Sequence, residues 1–142
     1  MKLTPFLVLN GNAKDAIEFY KQALDAEVLT LFTYGNMPEQ TPEEMHDLVA
    51  HANLKIGGAN LMIADNGDPT SIPINIGNQV TICVTPNDVE GAQVVFDKLK
   101  QGGQVNFPLE KTSFSPAYGN VTDKFGITFQ IFTEEQDLLL KL

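Results

Sequence analysis

At 142 residues, 43% of them hydrophobic and 19% charged, the chain can build one domain with a sizeable core and is too apolar for a disordered segment. Eighteen acidic residues oppose nine basic ones, and a net charge of −9 without any Lys/Arg cluster excludes a surface that tracks nucleic acid or anionic lipid. The lone Cys83 rules out an intrachain disulfide, Pro5–Leu9 is too short for a signal-peptide core, and no run approaches the roughly 20 apolar residues that span a bilayer, so a cytoplasmic protein is expected.

Lys2–Leu9 reads as an apolar strand closed by Asn10-Gly11-Asn12, a turn and helix-start signal. Ala13, Ala16, Ile17, Tyr20, Ala23 and Leu24 then recur at helical spacing, with Asn12 as the expected N-cap whose side chain accepts from a first-turn N–H. Glu27–Tyr34 is a strand of β-branched and aromatic residues. Gly35–Met45 is polar and proline-punctuated, resembles a lid, and carries Thr41-Pro42-Glu43-Glu44, which suits one short helical turn. In Asp47–Ile56 the alternate residues Leu48, Ala50, Ala52, Leu54 and Ile56 are apolar, the period of a half-buried strand, and Gly57-Gly58 turns it into a hairpin with Ala59–Asp65.

After a linker over about residues 67–78 the same order restarts. It runs through strand Gln79–Thr85, turn Pro86-Asn87-Asp88 and helix Val89–Gln101 with Val89, Ala92, Phe96 and Leu99 on one face. Short strands follow near Val105 and over Phe114–Thr122, then the turn Asp123-Lys124-Phe125-Gly126 and strand Ile127–Thr133. The helices repeat at an offset of 76 (Asn12 with Asp88, Tyr20 with Phe96) and the closing hairpins at 68 (Gly58 with Gly126, Ile63 with Ile131). The expected fold class is therefore α+β, two tandem βαβββ modules within a single domain over residues 1–142: module one about 1–66, module two about 79–134, and a tail at 135–142. One amphipathic helix per four-stranded sheet covers one face and leaves the other to be covered by its neighbour or left as a concavity, where a ligand would go.

The Gly11-Asn12 turn with Ala16-Ile17-Glu18-Phe19-Tyr20, then His51-Ala52-Asn53-Leu54, Leu61-Met62-Ile63-Ala64-Asp65 and Tyr118-Gly119-Asn120-Val121-Thr122-Asp123-Lys124-Phe125-Gly126, resembles the PhnB-like branch of the vicinal-oxygen-chelate superfamily. That superfamily includes glyoxalase I, extradiol dioxygenases, and fosfomycin and bleomycin resistance proteins. The resemblance covers nearly the whole chain and implies paired βαβββ modules forming a cup-shaped mixed sheet, a glyoxalase-like fold that is usually dimeric. It implies no particular substrate. In metalloenzymes of the superfamily four side chains at the cup floor hold a divalent ion, and those positions carry over to Pro5, Met62, Thr81 and Gln130. Proline has no side-chain donor, a thioether is too soft for Mg, Mn or Ni, and a neutral hydroxyl is a poor ligand, so no metal and no cofactor are expected.

Strand parity supplies the candidate lining. With Leu61, Ile63, Val80, Ile82, Val84, Phe129 and Ile131 under the helices, Asn60, Met62, Gln79, Thr81, Cys83, Gln130 and Phe132 point the other way, as do His51 and Asn53. The expected substrate-binding set is Asn53, Met62, Gln79, Thr81, Tyr118 and Gln130, a polar but uncharged lining for a small molecule. His51 is the candidate general acid/base.

The other chemistry-bearing residues read as structural: His46 solvent-exposed, Cys83 a small buried hydrophobe, Asp65 a turn residue. Neither a G-x-G-x-x-G nor a P-loop pattern occurs, no glycine-rich adenosine cradle supports methyl transfer, the two His form no zinc cluster, and Ser113–Ser115 has no evident base. Leu138-Leu139-Leu140-Lys141-Leu142 is too apolar for a solvated tail and is expected to dock on the protein or on a partner copy, in keeping with a homodimer. Two functions follow: a protein that binds a small molecule, or a metal-independent enzyme working through His51.

Overall fold

The computed structural model describes residues 1–67 and 73–134; the leucine-rich tail, with the docking expected of it, lies outside them. Among the described residues, two compact units, Met1–Asn75 and Ile76–Leu142, each contain one α-helix and one four-stranded mixed sheet, an α+β architecture of two open sheets without a closed barrel.

In the first unit β1 (Phe6–Leu9), α1 (Ala13–Leu24), β2 (Glu27–Thr33), β3 (Val49–Ile56) and β4 (Ala59–Asp65) form a sheet of order β1-β4-β3-β2, with β1 parallel to β4 and the rest antiparallel. The second unit repeats this with β5 (Ile82–Val84), α2 (Val89–Leu99), β6 (Gln104–Glu110), β7 (Tyr118–Thr122) and β8 (Thr128–Phe132) in the order β5-β8-β7-β6. Each helix covers one sheet face. The six residues expected on the apolar face of α1 are all buried. On α2 Ala92, Phe96 and Leu99 are buried, while Val89 in the first turn is exposed. Beneath α2 the sheet has Gly119, where an added Cβ would lie 2.8 Å from Cε2 of Phe96, so the missing side chain is the room that ring occupies.

The hairpin offset of 68 holds, since Leu7 pairs with Ile63 and Val84 with Ile131. The same pairs set the first strands at an offset of 77, one more than the helices: six residue steps lead from Leu7 to the start of α1 at Ala13, and five from Val84 to the start of α2 at Val89. Several expected boundaries shrink to what pairing supports. β1 starts at Phe6 rather than Lys2, and β5 at Ile82 rather than Gln79, so Val80 precedes the sheet and is 87% exposed instead of packing under α2. β7 begins at Tyr118, leaving Phe114 in the preceding turn, and the strand near Val105 runs for seven residues. A register shift between Phe32 and Thr33 breaks the alternation in β3, so Val49 is fully buried and Ala50 only partly.

The cap of α1 departs from expectation. Asn12 occupies the N-cap but its side chain makes no capping bond. Asp65, at the end of β4, accepts from Gly11 N (2.9 Å) and Ala13 N (3.0 Å) through Oδ1 and from Val49 N (2.9 Å) through Oδ2. It is buried, so it is a carboxylate tying the helix start and the head of β3 to β4, not a turn residue. In α2 the cap is local: Asp88 accepts from Gly91 N at 2.7 Å.

Candidate functional site

In each unit the sheet face away from the helix carries the polar side chains expected there, and each face is described by itself. On the first, β3 brings His51 and Asn53 to the same side as Met62 of β4, which is opposite Asn53. Asn60 Nδ2 donates to Asn53 Oδ1 (3.2 Å) and Lys2 Nζ donates to Asn60 Oδ1 (3.0 Å), so the Asn53 amide is oriented by a chain of polar contacts. The His51 ring lies 5.8 Å from that of Phe6, tilted by 43°. Its nitrogens have no hydrogen-bond partner among the described residues, so nothing there sets its tautomer as an acid/base residue normally requires.

The second face is more tightly organised. Gln130 in β8 accepts from the Tyr118 hydroxyl at Oε1 (2.8 Å) and donates from Nε2 to Thr81 Oγ1 (2.9 Å), so three of the expected binding residues form one chain across β7, β8 and the segment leading into β5. With both ends held the amide has one defined orientation, and each of its polar atoms keeps one further hydrogen-bonding position. Aromatic rings surround Tyr118: Phe107 at 5.5 Å and Phe114 at 5.3 Å between centroids, with Phe114 in turn stacked on Phe132 at 6.1 Å. Thr122 and Thr128 share a hydrogen bond (2.9 Å), and Asn106 Nδ2 donates to Asn120 Oδ1 and Thr122 Oγ1, so the polar side chains beside the cluster are also held in place.

Gln79 does not join this chain. It is exposed in the bend before β5, two residues short of Thr81. Cys83 is exposed rather than buried, because it projects from the helix-free face of a three-residue edge strand. Phe107 and Phe114 were not among the expected site residues. Phe132 follows Gln130 by two and parity puts it on this face, but nothing periodic marks Phe114, which a turn delivers.

The four positions implied for a metal do not fit one. Within the units, the side chain beside Met62 is that of Phe6, and the one beside Gln130 is that of Cys83; Pro5 contributes its carbonyl, accepting from Met62 N at 3.0 Å. Thr81 and Gln130 use their polar atoms on each other. A thioether, a neutral amide, a hydroxyl and one thiol are not a donor set for a hard divalent ion, and no group of three His, Cys, Asp or Glu side chains comes together among the described residues.

The Gly35–Met45 segment holds two short 3-10 turns, Tyr34–Asn36 and Glu43–Met45, the second being the helical turn expected after Thr41-Pro42. His46 is exposed as expected, and its Nε2 makes a 3.0 Å hydrogen bond with the Thr41 carbonyl. Tyr34, Gly35, His46 and residues 37–41 bound a cavity of about 400 Å³, open to solvent and separate from the sheet-face residues. Ser115 is fully buried, its hydroxyl on the carbonyls of Ala117 (2.9 Å) and Thr133 (2.6 Å), a structural role. Among the described residues no helix is long and apolar enough to cross a membrane.

Residues 1–132 match the family model for 3-demethylubiquinone-9 3-methyltransferase. The chain is 30% identical over 146 residues to protein YjdN of Escherichia coli (strain K12), covering 96% of this chain and 97% of that one. Among solved structures it is similar to protein PA1353 from Pseudomonas aeruginosa (TM-score 0.85, 30% identity, 94% of this chain and 98% of that one). It is also similar to the PhnB protein from Bacillus cereus (TM-score 0.78, 28% identity, 94% and 99%). The fold, though little of the sequence, recurs in a glyoxylase/bleomycin resistance protein/dioxygenase domain from Frankia and in the fosfomycin resistance protein FosX of Listeria monocytogenes, at 12% and 11% identity and TM-score 0.67 in both. The chain therefore belongs to the PhnB-like, 3-demethylubiquinone-9 3-methyltransferase-like family.

Proposed function

We propose that the protein binds a small molecule on the helix-free face of the second unit's sheet, as a cytoplasmic homodimer of single-domain chains, without using the metal chemistry of its superfamily. The observation that carries this reading is the Gln130 amide held between Tyr118 and Thr81 beside three phenylalanine rings. A side-chain amide with both ends fixed and hydrogen-bonding capacity left over, flanked by apolar surface, is the combination small-molecule sites use: a few oriented polar groups for specificity and rings for contact area. Asn53, Met62 and His51 of the first unit belong to the same reading as a second polar face. Methyl transfer, which the family description names, has no support in this chain's residues, since neither sheet supplies a glycine-rich turn at a strand–helix junction for an adenosine cofactor.

The test is a small-molecule library screened by thermal shift, with native mass spectrometry of the purified protein for subunit number and retained ligand. A hit should stabilise the wild-type protein and lose that effect in Gln130→Ala, on a dimeric species. A hit that stabilises wild type and Gln130→Ala equally would contradict the site. Turnover of a hit that falls by roughly 10²–10⁴ in His51→Ala would replace the binding reading with an enzyme acting through that imidazole.

A further inference from the structure

The charges on the second unit's sheet narrow the class of ligand. Resting on the reading of that face as a binding site, we propose that it takes an organic cation, a methylated or aryl-bearing ammonium, on the rings around Tyr118 with Glu110 as the counter-charge. Strands β5 to β8 contain no basic residue and a single acidic one, Glu110. Glu110 stands opposite Tyr118 across the β6–β7 pair, so both side chains project from the same face. Phe107 and Phe114, the rings at 5.5 and 5.3 Å from Tyr118, are 39% and 43% exposed, so their surfaces are not consumed by the core.

An aromatic ring is negative on its face and attracts a cation whose own hydration is weak, which favours methylated or arylated ammonium over a bare amine. An anion meets the opposite conditions. All nine basic residues of the chain are lysines, so no guanidinium exists to grip a carboxylate or phosphonate in bidentate fashion, and Lys111 and Lys124, the basic residues next to these strands in sequence, both lie outside them. A bound anion would face ring quadrupoles and the Glu110 carboxylate instead. The net charge of −9 adds a long-range field that concentrates cations around the protein. The spare donor and acceptor on the Gln130 amide would serve a hydroxyl or carbonyl elsewhere on the same ligand.

The test is an NMR titration of the full chain with three probes of similar size and opposite charge character: benzyltrimethylammonium, benzyl alcohol and benzoate. Benzyltrimethylammonium should shift Tyr118 and the Gln130 side-chain amide, with affinity at least tenfold above benzyl alcohol and no response to benzoate. Phe114→Leu should weaken the cation roughly tenfold. Glu110→Gln should weaken it about threefold and flatten its salt dependence. Both positions are exposed, so neither change threatens the fold. Benzyl alcohol or benzoate binding there as tightly as the cation would overturn the charge class while leaving the binding face intact. Silence from all three probes, or cation affinity unchanged in both variants, would overturn the proposal, and the face would then be judged by the library screen alone.

Discussion

The Tyr118 hydroxyl donates to Gln130 Oε1 at 2.8 Å, diagonally across β7 and β8, and this bond decides which end of the amide meets Thr81. Tyr118→Phe keeps the ring among Phe107 and Phe114 but frees the amide to rotate. We expect a stability loss of about 1 kcal/mol by denaturant titration, the net value of one such bond. Affinity for any ligand found on this face should drop several-fold by calorimetry; unchanged affinity would mean that the amide orientation has no part in binding.

His51 sits on the first unit's open face beside Phe6 with no hydrogen bond orienting its ring among the described residues. For a binding protein, His51→Ala should leave ligand affinity within a few-fold of wild type. The comparison is a direct calorimetric titration of both proteins with the same hit.

Asp65 accepts three backbone N–H groups while buried, so Asp65→Ala orphans the donors of Gly11, Ala13 and Val49 at once. A loss of about 3 kcal/mol is expected from the cost of unsatisfied buried donors, read as a lower urea midpoint. Asn12→Ala, by contrast, should cost under about 0.5 kcal/mol, because its side chain makes no cap. Equal losses in the two variants would mean that the cap has been assigned to the wrong residue.

Gly119→Ala places a methyl 2.8 Å from the Phe96 ring, with the backbone of Leu109 at 3.2 Å on its other side. Such overpacking should cost about 1–3 kcal/mol in thermal or chemical unfolding, relieved in part by the compensating pair Gly119→Ala with Phe96→Leu.

On α2 the Asp97 carboxyl is held below its ordinary pKa, first by its hydrogen bond to Lys100 and also by Gln93. A lowered folded-state pKa stabilises the protein above the unfolded value, and that contribution is lost as pH falls through the folded one. Because the pair is exposed, Asp97→Asn should be destabilising by only a few tenths of a kcal/mol at neutral pH, and the two unfolding curves should converge in acid.

What sequence periodicity could reach is clear from α1, whose six buried residues all follow from the 3.6-residue period. The repeat of βαβββ order was equally legible, because both modules obey the same turn and helix signals. Periodicity failed where a partner strand decides. Val80 and Ile82 share an alternation that any extended segment could satisfy, and only the three-residue pairing of β5 with β8 leaves Val80 outside the sheet. The cap of α1 failed for a related reason, since Asp65 lies 52 residues from Ala13 and local windows favour the adjacent Asn12. At the site, parity found Gln130 and Thr81, whereas Phe114 arrives from a turn with no period to betray it.

The most direct test maps a bound ligand by chemical-shift perturbation on the full chain, using a hit from the library screen. We expect the largest changes at the Gln130 side-chain amide, Tyr118 and Thr81, and small ones elsewhere. Perturbations confined to the cavity around Tyr34 and His46, or to His51 and its neighbours, would contradict a ligand seated on the second unit's sheet.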